Sequence, residues 1–417
     1  MAIISVIGIG LDGADGLSAA ASRTISQASV LVGGKRHLSY FPHHPGKKVY
    51  LANLSTGIEE IASCVAEDCS VVVLASGDPL FFGLGRLLLA NFDPEIIEFH
   101  PHVSSIQLAF SKIKIPWQDA IAISVHGRDS SEIIQAFKKG KEKIALLTDS
   151  NNNPAAIARL FLSLEIPVSY AFYVCENLGS SEEKVRIFAP DRLRELSELS
   201  SDDFAPLNVL ILIQQPQKDE LELNNLPLIG LPDSSFLSFS DRPGLITKKE
   251  IRIAILAELA LQPKQIVWDI GAGTGSVSVE IARLCPSSQI YAIEKTSIGS
   301  SLIAKNSQRF QVSNIKNING KAPESLLNLP RPNRIFIGGS GGNITDILTV
   351  CAQKILDEGI IVLAFATIEY GHQAINWLKN NNWQYSLLNL QISRSVPIAN
   401  LTRFNPLNPI TIVTATK

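Results

Sequence analysis

The segment VWDIGAGTGSVSVEIARL, residues 267–284, constrains the fold of this 417-residue chain more than any other segment. A β-branched run ends at Asp269, and a helical pattern begins at about Ser276. Three glycines lie between them, at Gly271, Gly273 and Gly275. Glycine lets the backbone approach a ligand closely, and the amide groups at a helix N-terminus point toward bound anions. The segment therefore predicts a strand, a ligand-binding loop and a helix in succession.

The rest of the chain alternates short β-branched runs with longer helical patterns. In the first half, the predicted strands are residues 3–7, 71–75, 120–125, 144–148 and 209–213. In the second half, they are residues 266–270, 289–293, 334–337, 360–364 and 410–414. Strands that alternate with helices predict an α/β fold with a largely parallel sheet.

Length and local composition predict two modules. A chain of 417 residues is too long for one ordinary core. Residues 214–234 open with polar residues and contain several Pro and Asn, which is typical of a linker. We therefore expect a first module at residues 1–215, a linker at 216–234 and a second module at 235–417. The first module is expected to have two lobes that divide near Pro116.

Composition narrows the class of protein. With 46% hydrophobic and 18% charged residues and a net charge of −2, the chain reads as globular, with neither nucleic acid nor a membrane as a partner. Its five cysteines form no CxxC pair, which predicts no metal site and fits the reducing cytoplasm. The start, MAIISVIGIG, lacks a basic segment and is interrupted by glycines, so it predicts a strand and not a signal peptide.

An acidic residue refines the ligand expected at the glycine loop. The next predicted strand, SQIYAIEK, ends in Glu294, whose carboxylate can accept hydrogen bonds from both ribose hydroxyls of an adenosine. A dinucleotide fingerprint needs glycine where this chain has Ser276. The simplest alternative is a tight turn between strand and helix, but Asp269 and Glu294 together favour a ligand. With Asp269 before it, the loop resembles the class I S-adenosylmethionine-dependent methyltransferases, whose fold is Rossmann-like.

Three further segments flank this loop. GLITKKEIRIAILAELAL contains Thr247 and Glu250 at the spacing of a capping box, before an apolar helical stripe. INGKAPESLLNLP and RIFIGGSGGN follow the loop. The GGSGG turn comes directly after a predicted strand, at the end where open α/β sheets bind ligands. Four glycines around one serine predict a second close approach between backbone and ligand.

In this order, TKKEIR, DIGAGTGS, GKAPES and IGGSGGN resemble the decarboxylating precorrin methyltransferase subunit of cobalamin biosynthesis. The resemblance runs from about Pro232 to the C-terminus and includes ISRSVPIANLTRFNPLNPI. It implies cofactor contacts from Ala322, Gly338 and Gly339 and substrate contacts from Ser340 and Gly341. That subunit usually has an acidic residue where this chain has Lys321, so any adenine contact there is expected from the backbone of Ala322.

The first module carries a weaker glycine motif. Gly8, Gly10 and Gly13 follow the first predicted strand and satisfy GxGxxG. A dinucleotide site would place an acidic residue about 20 positions later. Residues 29–34 contain none, which disfavours NAD.

Other segments of the first module resemble the tetrapyrrole methylases. These are VVVLASGDPLFFGLG, HPHVSSIQLAF and ISVHGRD, while LLTDSNNNPAAIARLFL and VCENLGSSEEKV resemble the precorrin branch of that family. Asp, Pro and Gly also form ordinary turns, but several segments in register favour the resemblance. The resemblance implies cofactor contacts from Gly8, Gly10, Gly77, Asp78, Pro79, Gly83, Ser104 and Ser105. His126 and Arg128, in ISVHGRD, receive no catalytic role.

The two modules in this order resemble the fused precorrin-6Y C5,15-methyltransferase (decarboxylating) family. The resemblance implies S-adenosylmethionine as cofactor and a tetrapyrrole with many carboxylates as substrate. It also implies methylation of carbon 5 by the first module, and methylation of carbon 15 with decarboxylation by the second. The expected carboxylate anchors are Lys248, Arg252, Arg394 and Arg403. We assign no catalytic residue, and expect a homo-oligomer. A fused methyltransferase with other substrates, or a non-catalytic sensor of either ligand, remains open.

Overall fold

The computed structural model describes residues 3–51, 54–125, 130–216, 221–398 and 401–417. The chain forms two compact units. The first comprises Met1–Ser130, Glu142–Ala155 and Ala171–Ile213, and the second comprises Ser131–Lys141, Ala156–Tyr170 and Gln214–Lys417. These compact units do not test whether modules at residues 1–215 and 235–417 fold and act independently, so that division stays a prediction.

Helices and strands alternate along most of the chain. The helices are α1 Ala19–Gln27, α2 Lys35–Ser39, α3 Leu54–Ala66, α4 Gly85–Asn91, α5 Ser105–Ile113, α6 Ser131–Lys138, α7 Pro154–Ser163, α8 Leu193–Glu198, α9 Lys249–Glu258, α10 Ser276–Leu284, α11 Ser297–Arg309, α12 Ile344–Lys354 and α13 Ile368–Asn380. The strands are β1 Ile4–Ile9, β2 Val30–Gly33, β3 Lys47–Tyr50, β4 Val71–Ser76, β5 Ile97–His100, β6 Ile121–Ser124, β7 Lys143–Leu147, β8 Ser169–Glu176, β9 Lys184–Phe188, β10 Asn208–Gln215, β11 Ile266–Ile270, β12 Gln289–Glu294, β13 Ile315–Asn319, β14 Arg334–Ile337, β15 Ile360–Phe365, β16 Gln384–Leu390, β17 Ser393–Ile398, β18 Leu401–Pro406 and β19 Ile410–Thr416.

The first sheet has the strand order β3-β2-β4-β1-β5, and its strands pair in parallel. Every residue of β1 and β2 is buried, as expected for parallel strands that are covered on both faces. Ile9 pairs with Ser76, and Ile7 pairs with His100. The loops that follow β1, β4 and β5 therefore leave the same edge of this sheet.

The second sheet has the order β6-β7-β10-β8-β9 and is mixed. β6 and β7 run parallel, whereas β10 runs antiparallel to β7, and β9 antiparallel to β8. The expectation of largely parallel pairing is therefore wrong for this sheet. The two separate sheets of residues 4–215 are consistent with the predicted two lobes.

The third sheet has the order β13-β12-β11-β14-β15-β19-β16. Its strands from β13 to β15 run parallel, and β19 pairs antiparallel with both β15 and β16. The chain moves outward from β11 to β13 on one side and then returns to β14 on the other. The strand order thus reverses between β11 and β14, where open α/β sheets bind their ligands.

Part of the predicted linker packs into the second unit. In residues 221–236, which we call the strap, Leu231 and Phe236 are fully buried in a cluster with Val279 and Phe310. The strap amides of Gly230 and Leu231 donate hydrogen bonds to the Glu280 carboxylate over 2.9 and 3.2 Å. Hence the described part of the linker contributes to a hydrophobic core.

Two expectations about single helices can be compared directly with the structure. The capping box predicted from Thr247 and Glu250 is wrong, because α9 takes Lys248 as its N-cap without a side-chain capping bond. Glu250 instead binds Arg394. In the described ranges, no helix combines the length and the apolar character that a membrane crossing requires.

Candidate functional site

The glycine loop after β11 touches the loop after β14. Gly271 has φ of +74°, and a Cβ atom built on it would overlap the carbonyl oxygen of Gly339 and lie 2.8 Å from its amide nitrogen. The amide of Gly338 donates to the Ile270 carbonyl over 3.0 Å. The predicted residues Gly271, Gly338 and Gly339 are therefore brought together where the strand order reverses, and Gly271 must be glycine.

The middle of this loop borders open space. Gly273 has φ of +56°, and a Cβ atom built on it would meet no heavy atom within 4 Å. Gly275 has φ of +75°, and its Cβ would lie 3.1 Å from Ile303 of α11. The Asn306 side-chain amide, on α11, donates to the Thr274 carbonyl over 2.8 Å and so ties the loop to that helix. The loop is a backbone cradle that is open at Gly273.

Glu294 ends the neighbouring strand β12 and faces this cradle. One carboxylate oxygen accepts the amide hydrogen of Gly273 over 3.0 Å. The other accepts hydrogen bonds from the amide and the hydroxyl of Thr296 over 2.9 and 2.8 Å. The side chain is buried, so its carboxylate has a defined position at the edge of the loop.

Asp269 lies beneath the same loop, fully buried. Its Oδ2 atom accepts a hydrogen bond from the Ser278 hydroxyl of α10 over 2.5 Å, and its Oδ1 atom has no hydrogen-bond partner among the described residues. Burial, together with the nearby Glu294 charge, raises the pKa of Asp269 to about 7. An incompletely bonded buried carboxyl indicates a site that a cationic ligand group would stabilise.

The GGSGG loop is exposed and bends sharply. Gly341 and Gly342 have φ of +58° and +95°, and the Ser340 carbonyl accepts a hydrogen bond from Asn343 over 3.2 Å. A Cβ atom built on Gly341 would lie 3.1 Å from the Nζ atom of Lys295. Sequence reasoning missed Lys295, although its position directly after Glu294 was a signal that could have identified it.

Ala322 lies in the loop after β13. That loop stays near Glu294, because the Gly320 amide donates to the Glu294 carbonyl over 3.0 Å. The Ala322–Pro323 peptide bond is cis, and Lys321 is exposed. The loops after β11, β12, β13 and β14 therefore all leave one edge of the third sheet.

The prediction that Arg252 anchors the substrate is wrong. The side chain is 0% exposed. Its guanidinium donates to Asp233 and Glu280, each over 2.7 Å, and to the Leu231 and Thr247 carbonyls. The side chain has no surface from which to contact a substrate, so its role is to bind the strap to α9 and α10.

The other three predicted anchors differ in their surroundings. Arg394 is partly buried. It donates to both Glu250 oxygens over 2.6 and 3.0 Å and to Asp233 over 3.2 Å. Lys248 donates to the Gly244 carbonyl over 3.1 Å, and burial lowers its pKa. Arg403, on β18, has no ion-pair partner among the described residues and is partly exposed. Arg403 therefore has the freest charge of the three.

The first unit brings three of its loops together. A Cβ atom on Gly8 would overlap the Gly77 carbonyl and lie 2.6 Å from the His102 amide nitrogen. Gly77 has φ of +62°, its amide donates to Ile9 over 3.1 Å, and its carbonyl accepts from the His102 amide over 3.2 Å. The predicted residues Gly8 and Gly77 thus meet at the carboxyl edge of the first sheet.

A histidine lies beside this glycine motif. A Cβ atom on Gly10 would be 2.5 Å from Oδ1 of Asp12 and 2.9 Å from Cε1 of His102. The Nε2 atom of His102 lies 3.6 Å from Oδ2 of Asp12 and 3.3 Å from the Gly16 carbonyl oxygen. Sequence reasoning did not select His102 or Asp12, and only the folded chain brings them together.

The remaining residues predicted in this unit shape the backbone. Asp78 accepts the amide hydrogen of Leu80 over 2.9 Å, and the Pro79 carbonyl accepts from Gly85 over 2.9 Å. A Cβ atom on Gly83 would lie 2.7 Å from that carbonyl. Ser104 forms a capping box with Gln107, and Ser105 begins α5. Their proposed cofactor contacts stay predictions, and His126 and Arg128 lie outside the described residues.

The residues present fit an adenosyl sulfonium cofactor in the second unit. The open cradle at Gly273 leaves room for a ligand, Glu294 provides a carboxylate beside it, and Asp269 has an unused buried oxygen. Two carboxyl groups and backbone amides suit a molecule that carries ribose hydroxyls, a positive charge and its own carboxylate.

Comparison with known proteins places both parts of the chain among methyltransferases. Residues 4–193 match the family model for tetrapyrrole (corrin/porphyrin) methylases, and residues 238–417 match that for the precorrin methyltransferase domain. The chain is 32% identical over 410 residues to precorrin-6Y C(5,15)-methyltransferase [decarboxylating] of a Sinorhizobium species, an alignment that covers 98% of this chain and 95% of the relative. The chain belongs to the precorrin-6Y C5,15-methyltransferase (decarboxylating) family.

Two relatives cover less than half of the chain. One is the probable cobalt-precorrin-6B C(15)-methyltransferase (decarboxylating) of Pyrobaculum aerophilum, 34% identical over 45% of this chain and 95% of its own length. The other is the cobalt-precorrin-7 C(5)-methyltransferase of Salmonella typhimurium, 36% identical over 38% of this chain and 76% of its own length. One of these names gives carbon 15 and the other gives carbon 5, whereas the name of the longer relative gives both positions.

Proposed function

We propose that this chain methylates precorrin-6Y, or its cobalt form, at carbons 5 and 15 and removes the carboxyl group of the ring C acetate. The product is precorrin-8X, an intermediate of cobalamin biosynthesis, and the methyl donor is S-adenosylmethionine. The observation that carries the proposal is that each matched family segment has its own glycine site, where a carboxyl sheet edge meets a glycine-lined loop. Two such sites are consistent with two separate methyl transfers.

We assign carbon 5 to the first site and carbon 15 with decarboxylation to the second. The support is the match of residues 238–417 to the precorrin methyltransferase domain and the existence of separate C(5) and C(15) relatives. The decarboxylating step needs an electron sink. The conjugated macrocycle of the substrate can accept the electron pair that the departing carboxylate leaves behind.

The chemistry explains which residues the protein needs. The cofactor supplies an already activated methyl group. The meso carbons of a reduced tetrapyrrole are enamine-like nucleophiles, so the protein contributes mainly proximity, alignment and exclusion of water. We assign Glu294 to the ribose hydroxyls and Asp269 to the positive charge of the cofactor; the support is that Glu294 lies beside the Gly273 amide and that Asp269 has a buried oxygen without a described partner. We assign the acceptor side of the site to Ser340 and Gly341, on the exposed loop after β14, with Arg403 as a candidate carboxylate anchor.

Mass spectrometry of the intact chain with cobalt-free and cobalt-loaded substrate tests the proposal. We expect a gain of two methyl groups and a loss of one carbon dioxide. Glu294→Gln should suppress the step of the second site, and Gly10→Ala, whose Cβ would displace Asp12 and His102, should suppress the other. Titration calorimetry should find two S-adenosylmethionine sites in the intact protein. If no methyl group is transferred to either substrate, the proposed function is wrong.

The assembly and location of the protein are further proposals. We infer a homo-oligomer in the cytoplasm, as expected for a biosynthetic enzyme with a tetrapyrrole substrate. Analytical ultracentrifugation of the intact chain measures the first, and cell fractionation the second. A monomer at micromolar concentration, or a membrane-bound fraction, would contradict these two expectations.

A further inference from the structure

Lys295 extends across the crevice of the second unit. It is the first residue after β12, yet its Nζ atom lies 3.1 Å from the position of a Cβ atom on Gly341, in the loop after β14. Its Cδ and Cε atoms lie 4.0 Å from the same position. β11 separates β12 from β14 in the sheet, so the side chain spans the edge where the glycine loop of β11 lies.

The charge of Lys295 is not neutralised within the described part of the chain. The residue is exposed, and no described carboxylate forms an ion pair with it. Its neighbour Glu294 is occupied by the Gly273 amide and by Thr296. An ammonium group without an ion-pair partner among the described residues therefore lies over a crevice that is lined by glycines.

Two of the predicted cationic anchors are held by carboxylates of the protein itself. Arg252 is buried and bound to Asp233 and Glu280, and Arg394 is bound to Glu250 and Asp233. Because Gly341 has no side chain, space remains beside the Lys295 ammonium.

From this geometry we propose that Lys295 binds a ligand carboxylate in the crevice between the loops after β11 and β14. The inference rests on the proposed function, which supplies carboxylates from two sources: the methionine moiety of S-adenosylmethionine and the side chains of the tetrapyrrole. An ammonium is a compact point charge with three donors, which suits either carboxylate. The residue acts by binding and needs no change of protonation.

The test compares Lys295→Gln and Lys295→Arg in the full chain with the matched control Lys305→Gln. Lys305 is an exposed lysine of α11. Thermal unfolding should be unchanged in all three, because neither lysine is buried. Calorimetric titrations use S-adenosylmethionine and its analogue that lacks the carboxylate. A separate absorbance titration uses precorrin-6Y.

If Lys295 holds the cofactor carboxylate, Lys295→Gln should weaken S-adenosylmethionine binding about tenfold or more and leave binding of the analogue unchanged. If it holds a substrate carboxylate, cofactor binding should be unchanged and precorrin-6Y binding should weaken by a similar factor. Lys295→Arg should retain most of the affinity in either case. Affinities within twofold of wild type in every titration of Lys295→Gln would overturn the proposal. Because these readouts are binding constants, they stand even if turnover of precorrin-6Y fails and the proposed function falls.

Discussion

Gly271 packs directly against Gly339, and a methyl group on Gly271 would overlap the backbone of Gly339. The contact joins the loops that follow two adjacent parallel strands, β11 and β14. This contact forms the bottom of the crevice between the two loops, at the point where the strand order reverses. In the same loop, a Cβ atom on Gly273 would meet no heavy atom within 4 Å. A side chain would therefore clash at Gly271 but find space at Gly273, only two positions away.

The first prediction uses that contrast. Gly271→Ala should lower the free energy of unfolding of the second unit by more than about 2 kcal/mol, because the new Cβ meets rigid backbone. Gly273→Ala should cost only about 1 kcal/mol, the price of a left-handed conformation in open space. Chemical denaturation measures both. Equal losses would show that the loops do not touch as described.

The second prediction concerns Asp269, whose pKa is raised to about 7 by burial. Between its ordinary pKa of about 4 and about 7, the folded state holds a proton that the unfolded state has lost, so the stability of the wild type falls as pH rises through that window. Asp269→Asn removes this dependence. Relative to wild type, its melting temperature should rise between about pH 5 and about pH 8, while cofactor binding is lost. A difference that does not vary with pH would contradict the assignment.

The third prediction separates a structural arginine from a candidate substrate anchor. Arg252→Met leaves Glu280 buried without its cation and leaves Asp233 with Arg394 alone, and it should cost about 3–5 kcal/mol of stability. Arg403→Gln, on a partly exposed strand, should leave stability unchanged and raise the KM for the tetrapyrrole. Thermal unfolding and steady-state kinetics measure the two effects. A stable Arg252→Met protein with a raised KM would restore Arg252 as a substrate ligand.

The fourth prediction concerns the strap. A fragment of residues 216–417 should fold, whereas one of residues 236–417 should be much less stable. The shorter fragment lacks Leu231, Asp233 and the two amides that bind Glu280. Circular dichroism during heating compares the two fragments. If both melt at the same temperature, the strap contributes nothing to the core.

The fifth prediction is that the two activities separate. Cutting the full chain within residues 217–220 should give two soluble parts, and each is offered the substrate and the product of the other part. The part with residues 221–417 should add one methyl group and release carbon dioxide. The part with residues 1–216 should add one methyl group without gas. Release of carbon dioxide by the N-terminal part would reverse the assignment, and activity only in the mixture would show that the sites are shared.

Sequence alone determined the parts of the fold that depend on neighbouring residues. All ten predicted strands are present, and Asp269, Glu294 and the glycines lie at strand ends as expected. Alternating β-branched runs and glycine turns specify backbone conformation locally, so these features can be read directly. The strands β5 and β13 were missed because their patterns are short and only partly buried.

Only the tertiary structure decided which charges are free and which are buried. Arg252, Arg394 and Lys295 are alike as residues in the sequence, yet the first is enclosed, the second is paired and the third crosses the crevice. Arg394 and Glu250 are 144 positions apart, so no local pattern could reveal that the glutamate binds this arginine instead of capping α9. Burial of the strap depends in the same way on distant apolar side chains. A side chain's partner and exposure are set by segments that meet only when the chain folds.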